Sequence, residues 1–163
     1  LHTQPELLAR FDILQELVTN DLRYDSRSAF TLSLNHRETY TGITDKDRSL
    51  TTRRFAELTN EVFAKNIDAQ EAKKMLGLEF RTPGHIPVCR ETEGGLQRRQ
   101  GHTELAVGLA RLSAVSPVVI GAEMLEAEGD NALSVEHARA WAKQRNIPFL
   151  EGADIISALD AID

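Results

Sequence analysis

Residues 117–124 carry the feature that most constrains the fold, a nearly continuous apolar run from Pro117 to Met124. A run of this kind is typical of a β-strand that is buried on both of its faces. It is far shorter than the roughly 20 residues that an α-helix needs to cross a bilayer. The run therefore predicts a buried strand in a sheet that has other elements packed on both sides.

The rest of the chain mixes the residue spacing of strands with that of helices. Phe30, Leu32 and Leu34 alternate with polar residues, which predicts a half-buried strand. Apolar residues recur at helical spacing over residues 4–18, which predicts one helix there. The remaining predicted elements, in chain order, are a helix capped by Thr44 or Asp45, a short helix from Asp68 with Gly77 as its stop, a strand at 86–90, helices at 103–112 and 134–145, a brief strand at 149–150 and a helix at 154–162. Helices and strands interleaved in so short a chain predict an α/β or α+β protein in which helices cover a sheet.

Length and charge narrow the class of protein further. The chain has 163 residues, 41% of them hydrophobic and 27% charged, which is a globular balance, and without linkers or repeats we expect one domain over 1–163. Its 25 acidic residues outnumber 19 basic ones, and the net charge of −6 disfavours general binding to nucleic acid or to a membrane surface. The single cysteine excludes an internal disulfide framework and suits a reducing compartment, so we expect a cytoplasmic protein.

The densest group of candidate site residues lies in the segment 94–104. Two glycines at its start permit a tight turn, two arginines follow, and a predicted helix begins just after Gly101. The N-terminus of a helix presents unpaired N–H groups that hold anions, and an arginine fork fits phosphate oxygens. The segment thus indicates phosphate binding, with Thr103 as a further donor. The alternative is an exposed basic turn in which Thr103 only caps the helix.

Other polar residues could take part in proton transfer, metal binding or substrate binding. His102 adjoins the predicted anion site, where an imidazole could ligate a metal or transfer protons, unless it is only an exposed residue at a helix start. Glu123 lies in the apolar run, where an unpaired charge is costly, unless the strand already ends in solvent there. His85 follows a Pro-Gly pair and could point into a cleft, or could be only a turn residue. The hydroxyl groups of Thr41 and Thr44 would suit a sugar or a phosphate, or could be only turn and cap groups.

At these residues the sequence resembles the 3,4-dihydroxy-2-butanone 4-phosphate synthase family in its archaeal form. The resemblance extends over essentially the whole chain, and several motifs occur in the family's order. The most specific motifs are Phe80-Arg81-Thr82-Pro83-Gly84-His85, Arg99-Gln100-Gly101-His102-Thr103-Glu104 and Ala122-Glu123-Met124, and Ser33-Leu34-Asn35-His36-Arg37 and Thr41-Gly42-Ile43-Thr44-Asp45 also match.

The resemblance implies a fold and an activity. The family has a mixed β-sheet covered by helices and works as a homodimer with active sites near the subunit interface. Its members are lyases of riboflavin biosynthesis that convert ribulose 5-phosphate to 3,4-dihydroxy-2-butanone 4-phosphate and formate. They use Mg²⁺ or Mn²⁺ as a Lewis acid, which favours enediol formation and the skeletal rearrangement.

The resemblance also implies a role for each site residue. His102 would ligate the divalent metal, and His85 and Glu123 would be catalytic as proton-transfer groups. The residues that would bind the substrate, chiefly its phosphate, are Arg99, Gln100, Gly101, His102 and Thr103, assisted by Thr41 and Thr44.

One departure from the family concerns its acidic N-terminal loop, in which a glutamate beside an arginine ligates the metal. No segment before Tyr24 matches that loop, and residues 90–93 imitate it only superficially. Since the chain begins at Leu1, we expect that the N-terminal portion of the domain is missing from these residues. The alternative is a non-catalytic sugar-phosphate-binding module that has lost the metal-binding acid. A third reading is another metal-dependent isomerase or lyase that acts on a sugar phosphate.

Overall fold

A computed structural model of the protein describes residues 2–18, 22–23, 25 and 28–161. The chain divides into two compact units, residues 1–118 and 119–163. The first unit contains α1 (Gln4–Leu8), a 3₁₀ helix (Asp12–Leu17), β1 (Phe30–His36), α2 (Asp45–Ala64), α3 (Ala69–Glu79), β2 (Phe80–Cys89), a second 3₁₀ helix (Gly95–Gln97) and α4 (His102–Leu112). The second unit contains α5 (Val135–Gln144) and α6 (Gly152–Asp160). Helices and a small antiparallel sheet together make an α+β protein, as the sequence predicts.

Short polar side chains start three helices at the predicted positions. Thr44 and Ser134 each accept a hydrogen bond from the backbone N–H three residues further on, both at 3.3 Å, at the starts of α2 and α5. The carboxylate of Asp68 accepts two N–H groups at the start of α3. Each bond satisfies a backbone donor that the first helical turn leaves unpaired. By contrast, α4 begins after Gly101 and has no side-chain cap, so the alternative in which Thr103 only caps this helix is wrong.

Several helices end at positions that differ from the prediction. The structure has α5 at Val135–Gln144 rather than 134–145 and α6 at Gly152–Asp160 rather than 154–162, and residue 162 lies outside the described residues. The predicted helix at 4–18 is broken after α1, and the 3₁₀ helix that follows leaves Ile13 and Leu17 exposed. Because most helical stability comes from packing of an apolar face, a stripe without a partner surface does not hold a long helix. Gly77 lies inside α3, which continues to Glu79, because this glycine does not adopt the left-handed conformation that stops a helix.

The predicted strands at 117–124 and 149–150 are wrong. Val119 is 50% exposed and Ile120 is 74% exposed, and residues 117–124 are irregular. Within the described part of the chain, β1 and β2 pair only with each other, and the segment beyond residue 118 has one isolated bridge, between Leu125 and Ala132. An apolar run becomes a strand only where a neighbouring strand pairs with its backbone groups.

The pairing of β1 with β2 contains a bulge that shapes the candidate site. Leu34 pairs with Ile86 and Asn35 pairs with Arg81, so residues 82–85 lie outside the backbone pairing of the two strands. We call these four residues the 82–85 bulge. A Cβ atom on Gly84 would lie 2.0 Å from the carbonyl carbon of Leu34, so only glycine permits this approach of the two backbones. The bulge makes β2 longer at its start than the predicted strand at 86–90.

The core of the first unit lies between α2 and the two strands. Leu34, Leu58 and Phe80 are buried there, and the rings of Phe55 and Phe80 meet edge to face with 5.9 Å between their centroids. On the same helix, the hydroxyl of Thr51 accepts the N–H of His36 at 3.0 Å. This bond fixes the end of β1 against α2, next to the bulge.

The second unit contains α5, α6 and the irregular segments around them. Arg145 lies over the ring of Trp141 at 4.4 Å, and Arg139 lies over the ring of Phe149 at 4.7 Å. A cation above an aromatic face is attracted by the electron density of the ring. Among the residues that the structure describes, no helix in either unit is long and apolar enough to cross a membrane.

Candidate functional site

The side chain of Asn35 joins two segments that the sequence predicts to be functional. Its Oδ1 accepts the N–H of His85 at 2.8 Å, and its Nδ2 lies 3.0 Å from Nδ1 of the same histidine. The same Nδ2 donates to the carbonyl oxygen of Thr41 at 3.5 Å. Asn35 is only 4% exposed. One buried amide therefore brings together His85 and the loop that begins at Thr41.

That loop is shaped by a glycine and a buried carboxylate. Gly42 has a φ of +86°, and a Cβ atom there would lie 2.1 Å from Nδ2 of Asn35. The carboxylate of Asp47 accepts the N–H of Gly42 at 2.8 Å and that of Thr41 at 3.1 Å. The Gly42 N–H is the main reason that the pKa of Asp47 lies below its usual value of 3.8, although burial acts in the opposite direction. Asp47 is thus an anion that holds the backbone of the loop.

The exposed side chains around this network are those that could meet a ligand. His85, Thr41 and Thr44 all lie at the surface. The hydroxyl of Thr44 is already used as the cap of α2, and that of Thr41 lies 3.4 Å from the carboxylate of Asp47. The buried amide of Asn35 thus contacts both the imidazole of His85 and the backbone of Thr41.

The second group of predicted residues lies in the turn that leads into α4. Gly94 and Gly95 both have positive φ values, +88° and +53°, as the tight turn requires. The guanidinium of Arg99 forms ion pairs with Asp25 and with Glu104, and its Nε lies 2.6 Å from Oδ2 of Asp25. We call this group the Arg99 cluster.

Glu104 is the buried member of the Arg99 cluster. It is 1% exposed, and its carboxylate also accepts the N–H of Thr92 at 2.8 Å. Burial acts to raise the pKa of Glu104, but the Thr92 N–H and the Arg99 guanidinium outweigh it, so the pKa lies below the usual 4.5. The pKa of the Arg99 guanidinium is raised, mainly by its hydrogen bond to Asp25. Glu104 and Arg99 are therefore both ionised at neutral pH.

The start of α4 remains open to an anion. Gly101 precedes this 11-residue helix and provides no side chain to cap it. A Cβ atom on Gly101 would lie 2.0 Å from Nη1 of Arg99, so the glycine lets the guanidinium lie against the backbone. Gln100 and His102 are exposed and Thr103 is half-buried. The uncapped N–H groups of the first turn can donate to an anion, whereas the charge of Arg99 is already balanced by Asp25 and Glu104.

The described residues do not complete a metal site. His102 is exposed in the first turn of α4 and offers one imidazole. In residues 2–18, 22–23, 25 and 28–161, no three His, Cys, Asp or Glu side chains are grouped so that they could hold an ion. Mg²⁺ prefers oxygen ligands in octahedral geometry, which a single imidazole does not supply.

Glu123 belongs to the second unit. It lies exposed in the irregular segment 117–124, so the expectation of a carboxylate inside a buried strand is wrong. The carboxylate of Glu123 is exposed to solvent, as the alternative interpretation expects.

Sequence reasoning did not assign a site role to three residues that organise the two groups. Asp47 and Glu104 are acidic residues in the first turns of helices, where carboxylates often bind backbone N–H groups, and this local signal could have found them. Asn35 carries no such signal, because its main partner lies 50 residues away.

These groups define an α+β protein with an open helix N-terminus and an amide-held histidine, and comparison with known proteins identifies the family. A family model described as 3,4-dihydroxy-2-butanone 4-phosphate synthase matches residues 2–158. The chain belongs to this family.

Curated relatives agree with that assignment. The 3,4-dihydroxy-2-butanone 4-phosphate synthase of Archaeoglobus fulgidus is 44% identical over 84% of this chain and 55% of the relative. That of Methanosarcina mazei is 42% identical over 90% of this chain and 58% of the relative. Riboflavin biosynthesis protein RibBA of Bacillus cytotoxicus is 34% identical over 94% of this chain and 34% of the relative. The chain thus spans little more than half the length of the archaeal relatives that it matches.

Proposed function

We propose that the protein is a lyase that converts ribulose 5-phosphate to 3,4-dihydroxy-2-butanone 4-phosphate and formate in riboflavin biosynthesis. The match of the family model to residues 2–158 carries this proposal. The names of the archaeal and bacterial relatives support the same reading, and they do not favour a non-catalytic module.

The start of α4 binds the phosphate of the substrate in this proposal. The N–H groups of the first turn have no side-chain cap, and Arg99 lies beside them. The substrate-binding segment is Arg99, Gln100, Gly101, His102 and Thr103, and Thr41 and Thr44 assist from their loop. Because Arg99 is already paired with Asp25 and Glu104, it acts partly by holding the turn in place.

Proton transfer falls to His85 and Glu123. Both side chains are exposed, and an imidazole and a carboxylate are the usual groups for general acid–base catalysis near neutral pH. The network around Asn35 supports the role of His85, since a proton-transfer group must be held in one orientation.

The proposed cofactor is Mg²⁺ or Mn²⁺, with His102 as one of its ligands. The described residues contain no group of three His, Cys, Asp or Glu side chains that could hold the ion, so His102 contributes one ligand to a site that these residues do not complete by themselves. We also propose a cytoplasmic homodimer in which the 163 residues belong to one synthase-like domain with a mixed sheet covered by helices.

Formate release from ribulose 5-phosphate tests the proposed function. The protein as the cell makes it should release formate in the presence of Mg²⁺, and EDTA should abolish the release. H102A should lose the metal-dependent turnover, whereas H137A, at an exposed histidine in the first turn of α5, should keep it.

Three outcomes would contradict the proposal. Sugar-phosphate binding without any formate would establish the non-catalytic module. A different product would establish another isomerase or lyase of sugar phosphates. Unchanged turnover in H102A would remove this residue from the metal site.

A further inference from the structure

We propose that Asn35 is a positioning residue that fixes His85 in one tautomer, with no proton on Nδ1 and the proton on Nε2. This inference rests on the proposed function for its catalytic consequence, because His85 has its proton-transfer role only there. The hydrogen-bond assignment itself follows from the described contacts.

The orientation of the Asn35 amide is set by a backbone group. The N–H of His85 can only donate, and it lies 2.8 Å from one terminal atom of the Asn35 side chain. That atom must be the oxygen, since an amide nitrogen does not accept a hydrogen bond. The nitrogen Nδ2 therefore faces the imidazole ring.

The amide nitrogen in turn sets the state of the ring. Nδ2 carries two hydrogens, and its two partners are Nδ1 of His85 at 3.0 Å and the carbonyl oxygen of Thr41 at 3.5 Å. Because Nδ2 can only donate, Nδ1 must accept and carries no proton. In the neutral imidazole the single proton is then on Nε2.

The surroundings of Asn35 disfavour the opposite orientation of the amide, which would set Nδ2 against the His85 N–H and Oδ1 against the Thr41 carbonyl oxygen. The side chain is buried near the end of β1, and the Cα of Gly42 packs so closely that a Cβ atom would overlap it. The bulge is fixed independently, since Thr82 donates to the carbonyl of Ser33 at 2.8 Å and the N–H of Gly84 donates to the Ser33 hydroxyl at 3.2 Å. The backbone thus dictates the tautomer through one side chain.

The catalytic consequence concerns the role of His85. A neutral imidazole with its proton on Nε2 and its Nδ1 occupied has a donor available to the substrate and no free acceptor. His85 therefore begins the reaction as a hydrogen-bond donor to a substrate oxygen. The group that first removes a proton from carbon is another one.

Imidazole nitrogen resonances test the tautomer without any variant. In protein labelled with ¹⁵N-histidine, at a pH where imidazole is neutral, the His85 spectrum should show an unprotonated Nδ1 and a protonated Nε2. The exposed His137 provides the reference for a solvent-exposed ring in the same sample. A protonated Nδ1 on His85 would overturn the inference.

The variant N35D reverses the interaction at nearly constant shape. A carboxylate can only accept, so it should still accept the His85 N–H but should draw the ring proton to Nδ1, and the two nitrogen signals should exchange character. We expect kcat for formate release to fall about 100-fold, the size of a general acid–base contribution, with KM nearly unchanged. N35A, which keeps neither bond, is the matched control for loss of orientation.

The outcomes separate this inference from the proposed function. If the tautomer exchanges in N35D and kcat does not change, the positioning role is overturned. If the wild-type protein releases no formate, the proposed function fails, whereas the nitrogen signals still decide the tautomer.

Discussion

The 82–85 bulge and the Arg99 cluster hold their predicted site residues by different interactions. At the bulge, Asn35 accepts the backbone N–H of His85 and donates to Nδ1 of its ring, so neutral hydrogen bonds hold both the backbone and the side chain of His85. In the Arg99 cluster, one cation is shared between two carboxylates, one of them fully buried. Neutral bonds with defined donors and acceptors specify the orientation of individual atoms, whereas ion pairs mainly specify where the turn lies.

The difference also determines how each region fails. Removal of Glu104 from the cluster deletes an ion-pair partner of Arg99 and the acceptor of the Thr92 N–H together, which is more costly than the loss of one neutral hydrogen bond. The cluster should therefore dominate stability, and the bulge should dominate catalysis.

Loss of the buried carboxylate should have the largest effect. E104A leaves the Thr92 N–H without its acceptor and Arg99 with Asp25 as its remaining partner, and we expect the free energy of unfolding to fall by about 3 kcal/mol in urea denaturation. E93A, at an exposed glutamate of the same turn, should change it by less than about 0.5 kcal/mol. A loss below about 1 kcal/mol in E104A would show that ion pairs do not dominate here.

Crowding the bulge should have the next largest effect. G84A places a methyl group against the backbone of Leu34, and we expect a destabilisation of about 2–3 kcal/mol in the same measurement. G77A is the matched control, because no atom lies within 4 Å of the added carbon and the residue is inside α3, so it should stabilise the protein by about 0.5–1 kcal/mol. Equal effects of the two substitutions would refute the close approach at Gly84.

The carboxylate of Asp47 should make the stability of the protein depend on pH. The pKa of Asp47 in the folded state lies below 3.8, so its contribution to stability is present above this pH and is lost as the pH falls through the folded-state pKa. In D47N, the free energy of unfolding should fall less between about pH 5 and about pH 3 than in the wild type. D45N, at an exposed aspartate of the same turn, is the control, and a wild-type slope in D47N would contradict the role of Asp47.

The exposed ion pair beside the cluster should have the smallest effect. Arg111, which is 52% exposed, pairs with Glu91. Since exposed pairs are screened by water and salt, we expect R111A to cost about 0.5 kcal/mol, and less at high salt. A loss comparable to that of E104A would erase the distinction between buried and exposed pairs in this region.

The sequence predicts much of the first unit correctly, because its elements begin with local signals. Thr44 and Asp68 cap helices within their own first turns, and the alternation at residues 30–35 is a property of one strand. The prediction of a strand at 117–124 is wrong because strand formation depends on a pairing partner elsewhere in the chain, which a local apolar run does not reveal.

The site could be predicted only as far as its residues form short motifs. The motif from Arg99 to Glu104 contains both members of one ion pair, so its residues are found together. Asn35 and His85 are 50 residues apart in the sequence, and only the register of β1 and β2 brings them into contact. Asp25 reaches Arg99 across 74 residues, again without a local signal.

Asp47 and Thr51 lie one turn apart on the same face of α2, where each accepts a backbone N–H, from Gly42 and from His36. The loop and the strand end are therefore tied to a single rigid element. Exposure of either amide proton to solvent breaks a hydrogen bond to that helix face. Hydrogen exchange of Gly42 and His36 should accordingly occur through one shared opening, with the same free energy, so that this edge of the site behaves as a single cooperative unit.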